Sequence, residues 1–296
     1  MSLVARVADP SNLLQVVQLG TAFLRRHGIE KPRLEAEVII AHILQINRID
    51  LYVQYERPCS QSERASMRLA LQRRAQGIPS AYVTGHREFY GLDFEVGPDV
   101  LIPRPETETL VAWVLKEVTS AFAPTIRPLE LWDAGTGSGC VVAALTANDQ
   151  GFRGIGVDVS PGAVKIAQRN ILALGLEDRA TIHEGVWVDA AAPGSIHVLV
   201  SNPPYISTSE LANLSREVGQ EPVLALDGGA DGLDAYRHLF ASAKSKLARP
   251  AIGAVEVDEL RAGDVERLVV AHWPEAVTTI INDLVERPRV VGWRVG

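Results

Sequence analysis

From about residue 128 onward, short apolar segments of strand character alternate with segments of helical period. Strands are predicted at 129–134, 154–159, 180–183, 196–201 and 252–257, and helices at 140–147, 161–174, 233–247 and 262–271. A strand that is followed by a helix can pair with a parallel neighbour only through a crossover. The alternation therefore predicts an α/β fold with a largely parallel sheet and helices on both faces. Two last apolar segments, 277–281 and 290–295, have only a short loop between them, which suits an antiparallel hairpin at the sheet's edge.

The first 80 or so residues have a different texture. Leu13, Val16, Val17, Phe23 and Leu24 recur at helical spacing before Gly28. Pro32 suits the first position of a second helix running to about residue 46, and Ser60-x-x-Glu63 is a capping box that opens a third. Three short helices without chemical motifs predict a small bundle for packing or partner recognition. The segment 88–96 then alternates around Gly91, as a β-hairpin does, and a periodic helix follows Pro105. The expected organisation is a helical domain at 1–85, a hairpin linker at 86–105 and the α/β domain at 106–296.

Several functions are disfavoured. The net charge of −7 argues against a protein whose main task is gripping nucleic acid. No stretch reaches the ~18 apolar residues of a membrane span, and residues 1–10 lack the apolar core of a secretory signal. Cys59 and Cys140 are the only cysteines, and no two of the 7 histidines stand four apart, so neither a disulfide framework nor a metal site is expected. A cytoplasmic location is the default expectation.

The first α/β strand runs into Asp133-Ala-Gly135-Thr136-Gly137-Ser138-Gly139. Glycines here let backbone approach a ligand and turn into a helix whose first N–H groups are free. A dinucleotide loop needs a third glycine at 140, where Cys140 stands. The spacing favours S-adenosylmethionine (SAM), a compact zwitterion without pyrophosphate. Asp158 closes the second strand roughly 20 residues later, where a carboxylate can accept ribose hydroxyls. Its bland role is to complement the dipole of the helix at Pro161.

The fourth strand ends in Ser201-Asn202-Pro203-Pro204-Tyr205. Consecutive prolines terminate helix and central strand alike, because each lacks an N–H and fixes φ. In an open parallel sheet this turn shares the carboxyl edge with the glycine loop and Asp158. Asn202 offers an amide oxygen and Pro203 a carbonyl, two acceptors for one planar –NH2 group, while Tyr205 packs against the flat group carrying it. A bare strand-ending turn is the alternative.

On these residues the chain resembles the class I SAM-dependent methyltransferases with an Asn-Pro-Pro-Tyr motif, and more closely the release-factor glutamine methyltransferases (HemK-type). The likeness extends through Tyr82-Val-Thr-Gly-His-Arg-Glu-Phe-Tyr90, Leu101-Ile-Pro-Arg-Pro-Glu-Thr-Glu108, Glu221-Pro222 and Ala225-Leu-Asp-Gly-Gly229. It implies a Rossmann-like, mostly parallel seven-stranded sheet with an antiparallel last strand. It also implies methyl transfer from SAM to the glutamine side-chain nitrogen in the Gly-Gly-Gln loop of peptide-chain release factors. Gly135 to Gly139 and Asp158 are then expected to hold SAM, with Trp187 at the adenine. Asn202, Pro203, Pro204 and Tyr205 grip the glutamine, Asn202 also lies near the cofactor, and the helical bundle docks the release factor. The resemblance implies a monomer with no direct nucleic-acid or membrane partner. Alternatives are a ribosomal-protein glutamine methyltransferase, a DNA adenine-N6 methyltransferase and a non-catalytic SAM-binding module. Two departures stand out, the first bearing on a polar contact to the adenine and the second on the rim of the pocket. Val186 precedes Trp187 where the family usually has Asp, and Val257-Asp258-Glu259-Leu260 follows Glu256 where the family commonly has Ile/His-Gly.

Overall fold

The computed structural model describes residues 12–123 and 128–296. The reading of residues 1–10 as lacking a secretory signal lies outside them. The chain divides into two compact units, one running to Gly85 and taking in Arg216–Gln220, the other His86–Ser215 with Glu221–Gly296.

The first unit holds α1 (Leu13–Arg26), α2 (Pro32–Leu44), α3 (Asp50–Val53), α4 (Gln61–Ala75) and α5 (Ser80–Thr84). Three of these were expected. The helices α3 and α5 are too short to display a helical period. Asn12 caps α1, Pro32 opens α2, and Ser60 and Glu63 close the capping box of α4 reciprocally. The apolar faces bury Leu13, Leu24, Ile39, Ile40, Met67 and Leu71 against one another. The guanidinium of Arg74, almost fully buried, bonds Glu35 at 2.7 Å and also Glu217, which meets the requirement that a buried charge be paired.

The second unit opens with a hairpin, β1 (His86–Phe89) and β2 (Leu92–Glu95). Tyr90 and Gly91 both have positive φ, the conformation of a tight two-residue hairpin turn. A 3-10 turn at Pro105–Thr107 leads into α6 (Glu108–Ala121). The expected alternation follows: β3 (Leu129–Ala134), α7 (Cys140–Asn148), β4 (Phe152–Asp158), α8 (Pro161–Ala173), β5 (Ala180–Glu184), β6 (Ile196–Ser201), α9 (Asp234–Ala243), β7 (Leu247–Glu256), α10 (Ala262–His272), β8 (Val277–Asn282) and β9 (Pro288–Val295). The sheet order is β5-β4-β3-β6-β7-β9-β8, parallel except for β9.

The strand β7 starts five residues before the expected segment and passes through Pro250. The positions between Leu247 and Ala251 pair with neither neighbour, so the missing N–H costs no ladder bond there. Both sheet faces are covered. α6, α7 and α8 bury Leu110, Val142 and Val164 with Leu131 and Val198 on one side; α9 and α10 bury Phe240 and Val265 with Trp132 and Leu199 on the other. The pairing of β6 with β7 is irregular between Ile196 and Val198, and Ile196 packs on the second face while Val198 packs on the first. Because β3 lies between β4 and β6, the connections leaving it diverge, and a crevice opens at the carboxyl edge between β3 and β6.

Among the described residues no helix is long and apolar enough to cross a membrane, and no group of three or more His, Cys, Asp or Glu could hold a metal. Gly253 faces Trp293 across β7 and β9, and that indole stacks on Trp273 with centroids 5.7 Å apart. A Cβ at 253 would sit 2.0 Å from the Trp293 ring. Gly253→Ala is expected to cost about 1–3 kcal/mol by overpacking, read as a lower urea midpoint with an unchanged slope.

Candidate active site

The glycine loop is held from behind by a buried acid. Asp133 Oδ2 accepts from Thr136 Oγ1 at 2.7 Å and from the Val142 N–H at 3.1 Å, so one carboxylate secures both the turn and the first turn of α7. Burial pushes the Asp133 carboxyl up to about 6 despite these bonds. Gly135, Gly137 and Gly139 all have positive φ, which residues with a Cβ rarely adopt. Gly139 begins α7 and offers no capping side chain, so first-turn N–H groups remain for a ligand. Asn170 on α8 donates to the Ser138 carbonyl at 2.8 Å and pairs with Glu95 of the hairpin, bracing the loop from the side.

Asp158, at the end of β4, turns one oxygen to the Gly137 N–H and the other to the Ser160 N–H, both at 2.9 Å. Each oxygen keeps a lone pair, and burial raises the carboxyl above its ordinary range. A cavity of about 440 Å³ lies in front. Its wall includes Gly135, Thr136, Gly137, Ser138, Asp158 and Trp187, together with Asn202 and Pro204. Gly139, Pro203 and Tyr205 do not line it. Gly139 packs behind, against Ala167 of α8, and the Tyr205 ring joins the core on the α9 side.

The two ends of the crevice are tied directly. Ser201 Oγ donates to the Ala134 carbonyl at 2.6 Å, bonding the root of Asn-Pro-Pro-Tyr to the root of the glycine loop. Asn202 Nδ2 donates to Thr107 Oγ1 at 3.2 Å, and Thr107 in turn donates to Glu256 Oε2 at 2.5 Å. Neither Asn202 Oδ1 nor the Pro203 carbonyl has a partner among the described residues. The segment 225–229 straps this turn: the Ile206 N–H donates to the Leu226 carbonyl, the Gly228 N–H donates to the Ile206 carbonyl, and Gly228 lies against the backbone of Pro204 and Tyr205. Glu221, buried, accepts from the Ile102 N–H at 3.0 Å and from Arg104 at 2.5 Å, so the chain leading into the strap is tied to the chain leading into the turn before α6.

Residues 15–85 match the family model described as PrmC N-terminal domain, and residues 117–224 the one described as Methyltransferase small domain. The release factor glutamine methyltransferase of Rhodospirillum rubrum is 39% identical over 256 residues, covering 86% of this chain and 77% of that protein. Its counterpart in Moorella thermoacetica is 40% identical over 253 residues, covering 84% and 88%. The chain belongs to the release factor glutamine methyltransferase family. A further member, from Bradyrhizobium diazoefficiens, is 36% identical and covers 98% of both chains. Among solved structures, the hMettl16 catalytic domain in complex with MAT2A 3'UTR hairpin 1 matches with a TM-score of 0.56 at 16% identity, covering 93% of this chain and 90% of that one. That likeness shows the fold alone.

Membership of this methyltransferase family gives the strap and its acids a context that motif reading missed. Thr107, Ser201 and Glu221 lie in segments that the family likeness covers, but the bonds that give them and Glu256 their roles run to partners far away in the chain. The departures have visible consequences. Val186 is half exposed on the cavity wall. Asp258 pairs with Arg261, which reaches Glu210 at 2.7 Å beyond the Asn-Pro-Pro-Tyr turn. A Cβ on Gly228 would lie 2.7 Å from the Pro204 carbonyl oxygen and 2.8 Å from Tyr205 Cα, both of them backbone. Gly228→Ala is expected to lower the thermal midpoint by several degrees, from an overpacking cost of about 1–3 kcal/mol, as measured by calorimetry.

Proposed function

We propose that this chain transfers a methyl group from SAM to the side-chain amide nitrogen of the glutamine in the Gly-Gly-Gln loop of peptide-chain release factors. One observation carries the reading: Asn202 and Pro204 share a single cavity with Gly135–Ser138, Asp158 and Trp187. A methyl donor held at the glycine loop and a planar amine held at Asn202 would then occupy the same cavity.

The residues present fit SAM. The uncapped start of α7 suits a carboxylate, the Asp158 oxygens suit ribose hydroxyls, and Trp187 offers a flat apolar surface beside Gly135 for an adenine. Bound SAM supplies an electrophilic methyl on a positively charged sulfur. The free Asn202 Oδ1, on the cavity wall, is the acceptor for one hydrogen of the glutamine –NH2; the unpartnered carbonyl of Pro203, whose buried ring stands behind that wall, is the acceptor we assign to the other, and Tyr205 stiffens the turn that presents them. Amide nitrogen is a weak nucleophile because its lone pair is delocalised. Holding it in line with the methyl can supply roughly 7–11 kcal/mol of the barrier through orientation. With SAM held by Gly135–Ser138 and Asp158, the amide nitrogen gripped at Asn202 would take its methyl in exchange for one N–H proton, which would pass to solvent water. The helical unit serves to dock the release factor. A substrate that works at the ribosome puts this activity in the cytoplasm.

Labelled SAM incubated with a purified release factor is expected to label it, and to leave a version with the Gly-Gly-Gln glutamine changed to alanine unlabelled. Label on DNA, on a ribosomal protein instead, or on neither overturns the reading. Asn202→Ala is expected to reduce turnover by about 10²–10³ while SAM binding persists, as for the loss of one oriented polar group. Asp158→Ala is expected to weaken SAM binding about tenfold or more by calorimetry, the loss of a charge-assisted hydrogen bond.

A further inference from the structure

We propose that Glu256 and Thr107 are positioning residues that fix the orientation of the Asn202 amide, so that its oxygen and not its nitrogen meets the substrate; this rests on the glutamine methyltransferase reading above. The two ends of an asparagine amide have nearly the same shape and opposite hydrogen-bonding chemistry. An amide turned the wrong way offers donors to an –NH2 group that itself can only donate, and the grip is lost.

The selection comes from proton counting. Glu256 stands at the end of β7 and is 1% exposed, Thr107 is 2% exposed in the turn before α6, and Asn202 follows β6. An ionised Glu256 can only accept, so the single hydroxyl proton of Thr107 is committed to it across 2.5 Å. The Thr107 oxygen then has only lone pairs left, and the group it faces at 3.2 Å must be the Asn202 nitrogen. Asn202 Oδ1 is thereby turned away from Thr107. The three residues come from segments 95 and 149 positions apart, and all belong to the same compact unit.

The arrangement carries its own pH dependence. Burial pushes the Glu256 carboxyl up to about 7; the Thr107 bond, Arg289 on β9 and Arg104 draw it down, and Glu106 raises it. Tyr205 and Asp258 lie in the same electrostatic neighbourhood, and Tyr236 Oη donates to the Glu256 carbonyl at 2.8 Å. Once protonated, Glu256 becomes a donor to Thr107. The Thr107 proton is then released toward Asn202, and the orientation that presents Oδ1 to the substrate loses its preference. Activity therefore belongs to the ionised form and falls as pH drops through the Glu256 range.

The test compares Thr107→Val, Thr107→Ser and Glu256→Gln in the full chain, using labelled SAM and a purified release factor. Thr107→Val is expected to lower kcat about tenfold or more with KM for SAM unchanged, from loss of one oriented hydrogen bond. Thr107→Ser is expected to restore it, and Glu256→Gln, which can donate or accept, to flatten the acid limb of the kcat profile near pH 7. The Asn202 side-chain amide resonance, assigned by its loss in Asn202→Asp, reads orientation without turnover. It is expected to titrate near pH 7 in the unaltered chain and not in Glu256→Gln. Turnover of Thr107→Val equal to the unaltered chain, failure of Thr107→Ser to rescue, or an acid limb and amide titration that persist in Glu256→Gln overturns the proposal. An unaltered chain that transfers no methyl but shows the titration overturns the substrate reading and leaves the positioning role standing.

Discussion

Everything at the site depends on β3 and β6 lying side by side and parallel at the centre of the sheet. Their carboxyl ends emerge together, and the Ser201 hydroxyl bonded to the Ala134 carbonyl joins the last residues of the two strands. Because β3 is also flanked by β4, its connection to α7 leaves one way while the chain after β6 leaves the other. The glycine loop and the Asn-Pro-Pro-Tyr turn therefore face each other across a crevice. Rigid strands anchor both sides, so the relative position of the two loops is set by the sheet and not by loop conformation.

Two buried carboxylates work behind these loops. Asp133 organises the glycine turn and the start of α7; Glu256 organises Thr107 and, through it, Asn202. Both are raised by burial, to about 6 and about 7, so the folded protein holds these protons more tightly than the unfolded chain does. Their contribution to stability is then most favourable below their unfolded values and declines as pH rises through 6 to 7. Such groups persist in a core when they order something else, and here each orders one side of the same cavity.

The segments that mark the family resolve into a frame around the turn. Glu221 binds the backbone of Ile102 and the side chain of Arg104; the 225–229 strap lies on Ile206; Gly228 admits the backbone of Pro204 and Tyr205. Proline stiffness alone keeps the turn from joining a helix or strand. It does not aim the Asn202 amide. That is done by Thr107, held in turn by Glu256.

Much of the fold was legible in the sequence because its causes are local. Alternating periods specified strands and helices, Ser60 and Glu63 a helix start, Gly135, Gly137 and Gly139 a backbone only glycine adopts readily, and Pro203 with Pro204 an end to β6. The helices α3 and α5 were not legible, since four or five residues hold no period. Nor were the bonds of Thr107, Ser201, Glu221 and Glu256, whose partners stand 67 to 149 positions away. Sequence by itself determined which residue types bear the chemistry and that they sit at strand ends. Only the strand order decided which ends meet, and only the buried bonds crossing between them decided which way the Asn202 amide faces. A hydrogen bond depends on distance in space, and spacing along the chain carries no record of it.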